Sequence, residues 1–197
     1  MTRPRLVAGL LLTLALGTLA LPLVAQDAEV RQLDRRYNIE YNPVGYPQKT
    51  PQEGLKAIVR ALDAGAYEYM LAHLVDPKFV DTRVAEYFTT MFPKELLRKE
   101  DEEIALAEDA LTRKRLEIGK ERRLFDRRVL SFVRLVKETR KHFSEDPVLL
   151  RELRQMARDG EWDADDTKGT CSLKAVTTRK AFFKAQEGRW FMEERQK

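Results

Sequence analysis

Leu97, Ile104, Leu111, Ile118, Phe125 and Phe132 stand seven residues apart through a highly charged stretch. Only an α-helix brings residues at that spacing onto one line, because two of its turns take about seven residues. The matching seam position, four residues further on, reads Asp101, Glu108, Arg115, Arg122, Val129 and Val136. It is polar for four heptads and apolar for two, whereas a two-stranded coiled coil wants both positions apolar. The narrow line therefore predicts a long or once-broken helix over residues 93–143. Its last third docks on a body, where Leu130, Val133 and Leu135 widen the apolar surface, and the earlier part is lightly held. A hairpin broken near residues 99–102 or at Gly119 is one alternative, since glycine weakens a helix interior. Self-association of the segment as a homodimer is another. Between Arg113 and Arg128 eight bases meet three acids, a local surplus of five. Such a tract can make weak contact with an anionic surface. It lacks the succession of stacking aromatics that single-stranded nucleic acid requires, and the net charge of the whole chain is only +4, which argues against nucleic acid as a partner.

The flanking segments supply that body. Thr50 can cap a helix with Pro51 in its first turn and Glu53 closing a capping box. Leu55, Ile58, Val59 and Leu62 then form one apolar face. Asp63-Ala64-Gly65 turns the chain, and residues 66–75 resume the helix with Tyr67, Met70, Leu71 and Leu74 on the buried side. Asp76-Pro77 stops it. Residues 162–194 read as sheet. Cys171, Leu173 and Ala175 share a face that Phe183 carries onward, and Gln186-Glu187-Gly188 is a hairpin turn before Arg189-Trp190-Phe191-Met192. Trp190 and Phe191, on adjacent positions, should face opposite sides. Helices followed by strands indicate an α+β fold, with N-terminal helices on a curved antiparallel sheet and a long charged helical insertion over residues 94–142.

Residues 1–26 carry Arg3 and Arg5, a Leu/Ala-rich run from Leu6 to Leu21, and Ala25 as a small residue before a cut. This is the three-part layout of a secretory signal peptide and predicts export to a periplasmic or extracellular space, with residues 1–25 removed. The alternative is a retained membrane anchor, since residues 6–25 are 20 in number, long enough to cross a hydrocarbon core. Residues 26–49 contain the Pro- and Gly-bearing NPVGYPQK and read as an extended leader to a domain over residues 50–197. One Cys and two His exclude a disulfide framework and a His/Cys zinc site. Asp163, Asp165 and Asp166 lack the ligand order and terminal glutamate of a calcium loop. No metal and no cofactor are expected.

Two segments, TPQEGLKAIVRALDAGAYEYMLAHLVDP (Thr50 to Pro77) and AFFKAQEGRWFMEE (Ala181 to Glu194), together resemble the NTF2-like superfamily in its secreted bacterial type. The motifs are the Thr-Pro-x-Glu cap, the small turn closing its helix, and an acidic-Gly turn followed by Arg-Trp-aromatic. They cover 42 of 197 residues. The resemblance implies a cone-shaped α+β fold, also called cystatin-like, with a pocket between the long helix and the concave sheet. It also implies a larger bent sheet than residues 162–194 write clearly, which would draw residues 78–91 or 147–156 into strand or irregular edge. Relatives include ketosteroid isomerases and dehydratases, and also members that only bind a ligand or partner.

Tyr67, Met70, His73, Phe183 and Trp190 are the candidate ligand-contacting residues on this reading. The neutral ring of His73 would serve as a base near pH 7, or else His73 is a surface or half-buried helix residue. Asp63 and Asp76 suit a turn and a helix stop, and Ser131, Ser144 and Ser172 lie in no nucleophile turn. No catalytic residue is assigned. The expected function is a non-catalytic exported module binding a small apolar ligand or an envelope protein. The alternatives are a small pocket enzyme (isomerase, dehydratase or hydrolase) and a coiled-coil structural tether. An enzyme requires a carboxylate inside the pocket within hydrogen-bond reach of a tyrosine or histidine; a binding module requires an apolar cleft with few polar groups.

Overall fold

The computed structural model describes residues 34–174 and 176–194; the expected signal peptide, residues 26–33 of the leader and Ala175 lie outside them. The architecture is mixed α+β, with several helices and two small antiparallel sheets. A two-stranded ribbon, β1 (Arg35–Arg36) and β2 (Ile39–Glu40), leads into α1 (Pro51–Asp63). A helical turn, α2 (Tyr67–Tyr69), continues directly as a π-helical turn over Met70–Leu74. Four helices follow: α3 (Pro77–Met91), α4 (Lys94–Ala105), α5 (Ala110–Glu145) and α6 (Pro147–Asp159). The chain closes with an antiparallel meander of β3 (Glu161–Ala164), β4 (Lys168–Leu173), β5 (Val176–Gln186) and β6 (Arg189–Glu193), in that spatial order.

Local chemistry sets the ends of these elements. The Thr50 hydroxyl accepts from the Glu53 N–H at 3.1 Å, while the Glu53 carboxylate accepts from the Lys49 N–H at 2.8 Å, one residue earlier than in the usual capping box. Gly65 takes the left-handed conformation that closes α1 at its expected turn. Glu187 and Gly188 both adopt positive φ between the paired residues Gln186 and Arg189, as a two-residue hairpin turn demands. Leu55 and Ile58 are wholly buried on α1, which packs against both α6 and the sheet, and Leu62 is nearly so.

Two segments that the resemblance would draw into strand or irregular edge are helical. The Asp76 carboxylate caps α3 by accepting from the Lys78 N–H at 3.0 Å, with Pro77 in the first turn. Asp146 does the same for α6 through the Leu149 N–H at 3.0 Å. In each case Asp-Pro both ends one helix and starts the next.

The charged segment is a helical hairpin rather than one helix. It breaks at residues 106–109, where the Asp109 carboxylate caps α5 through the Thr112 N–H at 2.8 Å, and Gly119 lies inside α5. Burial along α5 begins at Ser131, Phe132, Leu135 and Val136, within the last third of residues 93–143 as expected; Leu130 and Val133, expected to dock, are exposed. The hairpin is clasped by charge. Glu100 is buried between Arg123, at 2.8 Å, and Arg127, at 2.7 and 2.9 Å, and Lys120 pairs with Asp101.

The leader is stitched to the domain. The Gln48 side-chain amide donates to the carbonyls of His73 (2.9 Å) and Trp190 (2.8 Å), and the Gln48 backbone carbonyl accepts from the Trp190 N–H at 2.9 Å. Val75 bridges Met192 in parallel, so the free edge of β6 is covered by two passing segments.

Gly160 joins α6 to β3 where no side chain fits. A β-carbon there would lie 2.3 Å from Cys171 Sγ and 2.5 Å from the Met156 carbonyl oxygen. Gly160→Ala is therefore expected to destabilise the fold by about 1–3 kcal/mol, read as a lower urea midpoint. Adding Cys171→Ala should recover only part of the loss, because the carbonyl clash remains.

Candidate functional site

An apolar cleft of about 970 Å³ lies between the helical layer and the sheet. Its floor is apolar because four elements turn their buried stripes toward it: Met70, Leu71 and Val75 from the π-helical turn and its exit, Leu135 from α5, Leu153 and Met156 from α6, and Ala181 from β5. Phe79, Phe143 and Leu149 form the walls. Leu149, Leu153 and Met156 recur at helical spacing, which is why α6 offers one continuous greasy side.

Of the charged residues that line the cleft, Glu138, Glu152 and Arg179 are held in ion pairs, and Lys180, Glu193 and Glu194 line it as well. The Tyr87 hydroxyl donates to the Glu138 carboxylate, which also accepts from Arg134 Nε at 2.9 Å, and Arg83 reaches the Tyr87 oxygen at 3.2 Å. On the opposite side Arg179 spans Glu152 at 3.1 Å and Asp146 at 3.0 Å. The Tyr87 hydrogen bond and the Arg134 guanidinium hold the Glu138 carboxyl below its usual range. Desolvation and the neighbouring carboxylate push the Tyr87 phenol up. At neutral pH the pair is thus a phenol and a carboxylate. Proton transfer is most efficient when the pKa of the catalytic group lies near the working pH, and both shifts lead away from it.

The five sequence candidates fall in three places. Met70 lines the cleft, and Tyr67 stands just behind its wall, its ring 6.1 Å from that of Phe143. His73 is buried on the far side of the same helical turn. Its Nε2 donates to the Ile39 carbonyl at 2.9 Å, and the rings of Tyr69 and Tyr41 lie 5.0 and 5.7 Å away. Burial lowers its pKa to about 4. Phe183 and Trp190 pack in the core beneath α1, Phe183 touching the Trp162 ring at 5.6 Å and lying against Gly54. Among the cleft-lining residues that sequence reasoning missed, Phe79 and Tyr87 sit on α3, and Leu149, Leu153 and Met156 on α6. Their signals were the two Asp-Pro caps and the apolar spacing after each.

Asp165 is the residue that shapes the β3–β4 turn, its carboxylate accepting from the N–H groups of Thr167 (2.6 Å) and Lys168 (2.8 Å). Among the described residues no cluster of three or more His, Cys, Asp or Glu is placed to hold a metal ion, and no helix is long and apolar enough to cross a membrane. Comparison with family models, curated proteins and solved structures finds no match for this chain.

Proposed function

We propose that this chain is an exported, non-catalytic binding module of NTF2-like type whose cleft receives a small apolar molecule. The observation that carries the reading is the cleft itself: an apolar floor, with two of its lining carboxylates, Glu138 and Glu152, held by arginines. Its volume falls within the range of about 300–1,000 Å³ typical of ligand pockets. The NTF2-like assignment is supported by the capped α1 lying over an antiparallel meander and by the return of the chain after the second helix to pair with the last strand. Export is supported by the layout of residues 1–25, and the mass of the secreted protein tests it. The pocket-enzyme alternative rests on the contact between Tyr87 and Glu138.

Titration with the neutral apolar fluorophore N-phenyl-1-naphthylamine should show saturable binding at one site per chain. Leu149→Glu places a charge on a half-buried wall position and should weaken that binding at least about tenfold, or about 1.4 kcal/mol. Its far-UV circular dichroism should stay unchanged. Non-saturable uptake, or equal affinity in the folded variant, would remove the cleft from the account. Glu138→Gln should leave probe affinity within about twofold, because it keeps the side chain's size and leaves the apolar floor unchanged.

A further inference from the structure

The heptad line of α5 has two fates. Phe132 is covered by the leader, the Tyr37 ring stacking on it at 4.2 Å with planes 4° apart. Phe125, Ile118 and Leu111, further back along the same line, are 44%, 58% and 61% exposed. The bases of the tract divide in the same way. Lys120, Arg123 and Arg127 turn inward onto Asp101 and Glu100 of α4. Lys114, Arg115, Arg122 and Arg128 are exposed and make no ion pair among the described residues. Residues three or four apart share a helix face. By that spacing Ile118 is bordered by Lys114, Arg115 and Arg122 with one acid, Glu121, and Phe125 adds Arg128. Glu117 and Asp126 adjoin the line in sequence and so fall to its sides.

We propose that this outward face of α5 docks on an anionic lipid bilayer. Leu111, Ile118 and Phe125 enter the headgroup boundary, and the four unpaired bases meet lipid phosphates. A basic face flanking an apolar line is the pattern of an interfacial helix. A second copy of the chain suits the face poorly, since it would bring the same basic border against itself. The start of the described chain gives a second, independent argument. Arg35, Arg36 and Tyr37 share a groove with Leu124, Phe125 and Arg128. In the alternative reading, where residues 1–25 are retained as an anchor, the apolar run of residues 6–25 is joined to that point through residues 26–33, a tether of at most about 26–29 Å. A bilayer that holds the run therefore lies within reach of the α5 face. The docking does not rest on the apolar cleft, which is lined by other residues.

The test uses the full chain with Ile118→Cys carrying an environment-sensitive fluorophore; Cys171 is fully buried and stays unlabelled in the native state. The vesicles are phosphatidylcholine alone, or an equal mixture with phosphatidylglycerol. A blue shift on the anionic vesicles is expected at about 0.1 M salt and should vanish near 1 M, where the screening length falls from about 10 Å to about 3 Å. The double variant Lys114→Glu/Arg122→Glu should reduce the anionic-vesicle contribution at least tenfold, and the same probe at the exposed Val44 should not shift. Sedimentation with vesicles without a shift at position 118 would mean that the apolar run alone binds, and would overturn the proposal. So would an equal shift on neutral vesicles, a vesicle-free dimer abolished by Ile118→Lys, or a shift produced by polyglutamate but not by lipid.

Discussion

Phe183→Ala should lower the unfolding free energy by about 3–5 kcal/mol, the range for deleting a buried aromatic ring from a packed core. Phe183 has no exposed surface, and it lies where α1 crosses the sheet. Two of its neighbours have nothing with which to close the gap. Across the ladder it faces Gly169, and above it stands Gly54, where a β-carbon would already lie 3.4 Å from the ring. Those two glycines let helix and strand approach closely, but they have no side chains that can swing into a void. Small domains carry about 5–15 kcal/mol of total stability, so the loss would consume much of it. The internal control is Phe125→Ala, the same deletion at an exposed position of α5, expected within about 0.5 kcal/mol of the parent. Urea midpoints at neutral pH measure both. A Phe183→Ala loss below about 1 kcal/mol would place the core elsewhere than beneath α1.

The contrast between these two phenylalanines marks what sequence can tell. Thr50, Gly65 and Glu187-Gly188 act through their own backbone, so α1 and the last hairpin could be read residue by residue. Asp76-Pro77 was legible as a stop but equally wrote a start, and the Asp109 cap that splits the charged segment passed unread. The heptad line was visible, yet periodicity says only that residues share a face; the neighbour that covers the face is tertiary information. Here that neighbour is Tyr37 at Phe132, whereas Ile118 is left 58% exposed. The candidate site was less legible still. Met70 and His73 lie three apart on one short helical turn, but the π-helical geometry sends one to the cleft and the other to the leader. Trp190 and Phe191 do alternate as strand neighbours should, and both are buried, because the sheet is covered on both sides at β6.

His73 should make the protein acid-sensitive above the range in which carboxylates usually titrate. Its ring is 1% exposed, Nε2 donates to the Ile39 carbonyl, and Nδ1 has no hydrogen-bond partner. Burial, reinforced by the nearby positive charges of Arg36 and Arg189, lowers the pKa from 6.5 to about 4. Above pH 6.5 the ring is neutral in both folded and unfolded chains and contributes nothing to pH dependence. Between 6.5 and 4 the unfolded chain takes up a proton that the native state refuses, so stability falls as pH falls. The accumulated loss is about 3 kcal/mol at pH 4 and levels off below, once the native ring also protonates. Glu100, held low by its hydrogen bond from Arg127, and Glu138, held low by Tyr87, keep their stabilising charge throughout the upper part of this window. They lose it only as pH falls through their depressed values, so the interval from 6.5 to about 5 isolates the histidine. His73→Gln keeps a donor for the Ile39 carbonyl but cannot take up a proton. Urea unfolding at successive pH values should show the parent losing stability by up to about 1.4 kcal/mol per pH unit as that interval is crossed, and the variant nearly flat. Parallel curves for the two proteins would mean that the ring is solvated and protonates freely in the native state, and the packing of the leader over His73 would have to be abandoned.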